Sequence, residues 1–176
     1  GEVVALGTGV EWLHVSDRVA VNNVVGCGIC PACRAGEYVR CPDWTGADDV
    51  GGGFAELVVS PQRNCMKLDE AIDDETGCLL FDNFGTPHAA LERAGVGVGD
   101  DVVVMGCGPI GLAAVMLAND RGAYVIAVDP VAYRRVAAAQ FGADATLSPG
   151  DEMPEAIRFL TSGLGANVVA ECSGKP

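Results

Sequence analysis

Lysine is almost missing from this chain: two of 176 residues, Lys67 and Lys175, against a formal net charge of −13. So few cations remove the usual electrostatic source of affinity for phosphate backbones and anionic lipid, which excludes nucleic-acid and membrane-surface binding. Aromatic residues are scarce as well, at 6%, yet hydrophobic residues make up 49%, enough for a packed core and too many for a disordered chain. No long apolar run is present. The longest uncharged stretch near the middle, Val102 to Asn119, is shorter than the roughly 20 residues a spanning helix needs, and glycines and a proline interrupt it. The N-terminus has no basic start followed by an apolar segment and no initiator Met, so the chain reads as a piece of a longer protein without a leader.

Cysteine, by contrast, is plentiful: eight residues, four of them within fifteen positions. That clustering suits a reduced compartment with one metal site better than a secreted disulfide scaffold, and it places the protein in the cytoplasm.

Two regions with different patterning follow one another. Residues 1–84 hold short β runs bounded by turn residues, predicted at Glu2 to Leu6, Arg18 to Val21, Phe54 to Ser60 and Cys65 to Leu68. Residues 85–176 alternate apolar runs with helical periods. The strands are predicted at Val102 to Met105, Tyr124 to Val128, Ala143 to Leu147 and Asn167 to Ala170. The helices are predicted at Ile110 to Asn119, Tyr133 to Phe141 and Met153 to Leu160. This βαβαβαβ order predicts a doubly wound parallel sheet covered by helices on both faces, and the unbroken run Val102-Val103-Val104-Met105 is what a strand buried on both faces requires.

Cys27, Cys30, Cys33 and Cys41 form C-x2-C-x2-C-x7-C inside the Gly/Pro-broken stretch 26–42. Four thiolates in one short loop repel each other unless a divalent cation compensates them, and zinc takes four in a tetrahedron with no position left for water. Such a site staples a loop and performs no chemistry. Disulfides, an iron–sulfur cluster and unliganded cysteines are the alternatives. The two-residue spacings argue against bridging, the last spacing and the missing partner cysteines argue against a ferredoxin-type cluster, and so polar a loop has no core in which to hide thiols.

Gly106-Cys107-Gly108-Pro109-Ile110-Gly111 is G-x-G-x-x-G, placed after a predicted strand and opening a predicted helix. In that context Gly106 permits a tight turn, Gly108 lets backbone approach a pyrophosphate, and Gly111 lets helix and strand pack closely. The helix N-terminus from Pro109 and Ile110 then faces the phosphates. Asp129 follows the next strand, which ends at Val128, and a carboxylate there accepts the adenosine ribose hydroxyls and repels a ribose phosphate, which favours NAD over NADP. Arg134 and Arg135 nearby could hold such a phosphate, and Asp129 could instead cap the helix after Pro130; the two roles of Asp129 are compatible.

With both motifs in this order, the chain resembles the zinc-containing alcohol dehydrogenases of the medium-chain dehydrogenase/reductase family. Gly1 to Gly7 is similar to the strand after that family's Gly-His-Glu signature, Ser16-Asp17-Arg18-Val19 to its Gly-Asp-Arg-Val turn, and Gly52-Gly53-Phe54-Ala55-Glu56 to its Gly-Gly-Phe-Ala-Glu strand opening. The resemblance implies a GroES-like, mostly-β catalytic domain portion over 1–84, an incomplete Rossmann NAD-binding domain portion over 85–176, and a second, catalytic zinc in the cleft. Asp82 is the matching third ligand of that zinc, and Thr86 matches the threonine beside the nicotinamide. The physical argument for Asp82 is that an acid within Leu79-Leu80-Phe81 and Phe84 needs coordination or pairing. A helix-capping acid is the alternative, and Cys78 one turn earlier is the competing ligand. His88, His14, Cys65, Cys107 and Cys172 read as satisfied structural residues, and Leu112, Val115, Met116 and Leu117 as helix core.

The implied function is zinc-dependent hydride transfer between a small alcohol or polyol and NAD, in a protein expected to be a homo-oligomer at full length. Residues 1–176 alone are expected not to turn over. Two further readings stay open at this point: an aldehyde-oxidising relative of the formaldehyde dehydrogenase type, and a non-catalytic, zinc-stapled nucleotide-binding protein.

Overall fold

A computed structural model describes residues 1–24, 26–43 and 52–174. The chain divides into two compact units, Gly1–Phe81 and Asp82–Pro176, a division three residues earlier than the border read from the sequence.

In the first unit β1 (Val19–Val21) pairs antiparallel with β2 (Cys65–Lys67), Val19 opposite Lys67 and Val21 opposite Cys65. A small core of Leu13, Val19 and Cys65, with Val3 and Val10 against it, lies beneath them. Two of the predicted strands are absent. Glu2 makes a single bridge to Arg18 and Glu2 to Leu6 is otherwise irregular. Phe54 to Ser60 is also irregular, with Phe54, Leu57 and Val59 exposed. A β-prone run makes a strand only when a ladder partner and a covered face are supplied: Gly1 to Val3 find both, with the Val3 amide donating to the Asp17 carbonyl, the Val19 amide to that of Gly1 and Val3 against the core, whereas among the described residues no ladder partner meets Val4 to Leu6 or Phe54 to Ser60. The single helical turn α1 (Pro31–Arg34) carries the cysteine loop.

A helical segment the sequence reading did not resolve follows. α2 (Asp74–Leu79) starts at Asp73, whose Oδ1 accepts from the Thr76 amide at 2.7 Å. It continues through a π-helical turn, Leu80–Phe84, into α3 (Gly85–Ala94), which stops at Gly95 in the left-handed region, φ 69°. The acids Asp74 and Glu75 in the first turn favour the helix start through its dipole.

The second unit is a four-stranded parallel sheet in the order β5-β4-β3-β6, formed by β3 (Asp101–Met105), β4 (Tyr124–Val128), β5 (Ala145–Leu147) and β6 (Val168–Glu171). α4 (Pro109–Asp120), α5 (Ala132–Gln140) and α6 (Met153–Leu160) connect them, as the βαβαβαβ pattern predicts. Pleating sends alternate residues to opposite faces. Val102, Val104, Val125 and Ala127 meet Ala114, Val115 and Ala118 of α4, while Val103, Ile126 and Val128 meet Met153, Ile157 and Leu160 of α6. Each of these sheet side chains is at most 2% exposed, and burial of an aliphatic side chain contributes roughly 1.5–3 kcal/mol. Among the described residues, no helix is long and apolar enough to cross a membrane.

Candidate functional site

The cysteine lobe is organised by sulfur accepting from backbone. Cys30 caps α1, its Sγ accepting from the Cys33 amide at 3.4 Å; Cys27 Sγ accepts from the Cys30 amide at 3.4 Å and Cys41 Sγ from the Cys27 amide at 3.3 Å. Pro31 at the first helical position fits because that position needs no donor. All four Sγ atoms lie within 4.8 Å of one another. The Cys27 to Cys33 separation is 4.0 Å and the Cys30 to Cys41 separation 3.8 Å. A tetrahedron with metal–sulfur bonds near 2.3 Å has edges of about 3.8 Å, so the residues fit one four-coordinate ion. They are far too long for a disulfide, and all eight cysteines are free.

Electrostatics agree with that fit. Amides of Ile29 and Cys30 hold the Cys27 thiol down to about 7, whereas burial, with the neighbouring sulfurs, pushes Cys33 up to about 12. Four thiolates therefore coexist only opposite a cation. Gly26 has no room for a side chain, since a Cβ would lie 2.5 Å from Cys33 Sγ.

Three contacts that sequence reasoning missed anchor this loop. Arg63 Nη2 donates to the Gly26 carbonyl at 2.6 Å, and Asn64, 6% exposed, donates through Nδ2 to the carbonyls of Asn22 at 3.0 Å and Val24 at 2.7 Å. Both residues sit on a short 3-10 turn, Gln62–Asn64. Contacts spanning about 40 positions leave no local signal in a sequence.

The glycine turn lies between β3 and α4. Gly106 has φ 91°, and a Cβ there would lie 2.8 Å from the Ser173 backbone; a Cβ at Gly111 would lie 1.8 Å from the Gly106 carbonyl oxygen. Both positions demand glycine. Gly108, the N-cap of α4, has open space where a Cβ would point, and Pro109 and Ile110 begin the helix behind it. An N-terminus of this kind directs unpaired amides and positive partial charge at whatever sits over Gly108.

Asp129 is 2% exposed and joins this turn to the next helix. Its Oδ2 accepts from the Cys107 amide and its Oδ1 from the Val131 amide, both at 2.8 Å. Burial opposes its charge, yet those amides together with Arg134 and Arg135 hold the carboxyl below its ordinary value. The helix is capped at Val131, so Asp129 makes an Asx-type turn before it and does not cap it. Arg134 Nη1 stands 3.8 Å from Asp129 Oδ2, while Arg135 Nη1 donates to the carbonyls of Asp129 and Pro130. Buried Cys107 is pushed up to about 11, first by that burial and then by Asp129.

Asp82 lies in the π-helical turn and is exposed, so the desolvation argument for its coordination does not hold in this structure. Thr86 Oγ1, one turn on, donates to Asp82 Oδ1 at 3.4 Å. Cys78 is exposed and its thiol donates to the Glu75 carbonyl. His88 Nδ1 pairs with Arg121 at 3.0 Å, and His14 is an exposed residue beside Asp17 and Lys67, outside any core. Among the described residues the four cysteines are the only group of three or more potential metal ligands placed together.

Two family models match the chain: the alcohol dehydrogenase GroES-like domain over residues 1–70 and the zinc-binding dehydrogenase over residues 109–176. L-threonine 3-dehydrogenase of Symbiobacterium thermophilum is 37% identical over 179 residues, covering 100% of this chain and 50% of that protein. Sorbitol dehydrogenase of Halalkalibacterium halodurans is 34% identical over 181 residues, covering 99% of this chain and 52% of that protein. A solved alcohol dehydrogenase of Escherichia coli, complexed with NADH, superposes with a TM-score of 0.87 at 30% identity, covering 100% of this chain and 52% of that one. The chain thus spans about half the length of the curated relatives it matches.

Proposed function

The chain belongs to the zinc-containing alcohol dehydrogenases of the medium-chain dehydrogenase/reductase family, with a GroES-like portion and a Rossmann-type portion, and from that premise we propose that it carries the structural-metal lobe and the dinucleotide-binding turn of an enzyme moving a hydride between an alcohol or polyol and NAD. The observation that carries this reading is the turn itself. Two glycines with no room for a Cβ, an open Gly108 at a helix N-terminus and a buried carboxylate at the end of the next strand form a cradle for a dinucleotide.

In this reading the amides ahead of α4 hold the pyrophosphate over Gly108, and Asp129 accepts the ribose hydroxyls with the lone pairs its two amide contacts leave. Arg135, committed to backbone carbonyls, steadies the loop, and the fixed negative charge of Asp129 selects against a ribose phosphate, which makes NAD the preferred cofactor over NADP. Cys27, Cys30, Cys33 and Cys41 hold a structural zinc. Asp82 offers one ligand to a catalytic zinc, its oxygen held by Thr86. When bound, such a zinc would supply Lewis-acid polarisation of an alcohol oxygen, and the nicotinamide would supply the hydride acceptor. The threonine and sorbitol dehydrogenases among the relatives support an alcohol or polyol as substrate and favour neither an aldehyde-oxidising nor a purely nucleotide-binding protein.

The gathering of four cysteines into one metal-type cluster supports a reducing, cytoplasmic location. The family resemblance supports a domain border at 84/85 and a homo-oligomer. Elemental analysis with NADH titration of the complete protein tests the reading. Two zincs per chain and saturable NADH binding are expected; one zinc without turnover supports a binder, and iron in place of zinc overturns it.

A further inference from the structure

The contact between the turn Gln62–Asn64 and the cysteine loop has no part in the chemistry described so far. Arg63 reaches 37 residues back along the chain to donate to the Gly26 carbonyl, and Gly26 is pressed against Cys33 Sγ. The same guanidinium lies over Gly28: a Cβ at that residue would sit 3.4 Å from Arg63 Nε and 3.5 Å from Cζ. Gly28 belongs to the two-residue spacer between the first two cysteines and holds φ 81°. A positive charge is therefore seated on the backbone that separates two sulfurs. A zinc ion bound by four thiolates leaves a site of net charge −2, and that surplus is normally dispersed by amides and by nearby cations. Asn64 pins the preceding carbonyls of Asn22 and Val24, so one turn grips the approach to the site from both sides.

We propose that Arg63 is a positioning residue for the tetrathiolate metal: its guanidinium clamps the Gly26–Gly28 loop and offsets the charge of the loaded site, and so sets how fast the metal escapes. The inference rests on the structural-zinc reading of the four cysteines. Because Arg63 is exposed, its effect belongs at the low end of the range for groups that support metal ligands, about tenfold.

The test is the rate of zinc release from the complete, zinc-loaded protein to the chromophoric chelator 4-(2-pyridylazo)resorcinol, with the lobe's phase identified by its loss in Cys33→Ser. Arg63→Met is expected to release this zinc about tenfold faster than the parent, and Arg63→Lys, which keeps the charge but loses the fork, is expected to fall between them. The parent's release should also accelerate with added salt, and that acceleration should vanish in Arg63→Met, a readout that packing alone would not move. Equal release rates for the parent and Arg63→Met, or equal salt dependence in both, overturn the inference. If Arg63→Met does not fold, Arg63→Lys and Arg63→Gln carry the same comparison. A parent protein with no zinc in the lobe refutes the underlying metal reading instead, so the two failures are distinguishable by stoichiometry.

Discussion

The cysteine loop and the parallel sheet hold their shapes by opposite means. In the sheet, Val102, Val104, Val125 and Ile126 have no exposure at all, and the backbone ladder and the apolar layers on both faces specify the same register. In the loop the buried apolar groups are chiefly the sulfurs of Cys33 and Cys41, and its elements are one helical turn and one 3-10 turn, Tyr38–Arg40. Local order that a sheet obtains from area, a short loop must obtain from a strong point interaction. The largest expected effect separates the two directly. Chelating the metal should abolish amide-exchange protection across residues 26–43 while β3 and β4 keep theirs, because structural zinc contributes on the order of 10 kcal/mol even in small peptides. Hydrogen exchange with and without chelator checks this, and equal loss in both regions would break the contrast. Proton competition gives the sign with pH. Cys27, near 7, and Cys33, near 12, must both lose protons to bind, so zinc affinity should fall as pH drops from 8 to 6.

The reciprocal experiment removes area from the sheet. Ile126 is fully buried between β4 and the α6 face, so Ile126→Ala should cost about 2–5 kcal/mol through lost transfer energy and a residual cavity. Denaturant unfolding of the complete protein reads that loss, while zinc content should stay at the parent level. A smaller loss, about 2–3 kcal/mol, is expected for Gly106→Ala, which combines a left-handed backbone with a Cβ 2.8 Å from the Ser173 backbone. NADH affinity should fall with it, and unchanged affinity would separate the turn from the cofactor.

The same contrast explains what the sequence could disclose. Strands buried on both faces announce themselves as continuous apolar runs, and Val102 to Met105 and Tyr124 to Val128 lie in the structure at nearly the residues expected. The cysteine and glycine motifs are legible because their spacing is local and their residue types have few other uses. Phe54 to Ser60 misled because a run of β-forming residues records a preference for a half-covered surface and carries no information on whether a partner strand exists. The helix from Asp74 to Ala94 was obscured by Gly77, Gly85 and Pro87, which lie inside it and read in a sequence as helix breakers. Asp82 looked buried because its sequence neighbours are apolar, yet a helical side chain's surroundings are set by which side it faces, not by adjacent residues.

Asp129 yields the smallest effect on stability and the sharpest on ligand choice. Replacing it by Asn leaves one of two amide donors, Cys107 or Val131, without a matching acceptor and removes a buried charge that those donors hold, a loss of about 1–2 kcal/mol at neutral pH. The sign with pH follows from the carboxyl's folded value lying below its ordinary 3.8. The stabilisation is complete above that ordinary value and disappears as pH falls through the folded one, so the parent and Asp129→Asn should converge in strong acid and diverge toward neutrality. Thermal unfolding at a series of pH values checks this, and parallel curves would show that the carboxylate is not stabilised by the turn. The same variant removes the charge expected to select against a ribose phosphate. NADH should bind about tenfold more weakly and NADPH more tightly, with Arg134, 3.8 Å from the altered side chain, free to turn toward the phosphate. A variant whose preference between the two cofactors is unchanged would move that selection away from Asp129 while leaving the cradle at Gly108 in place.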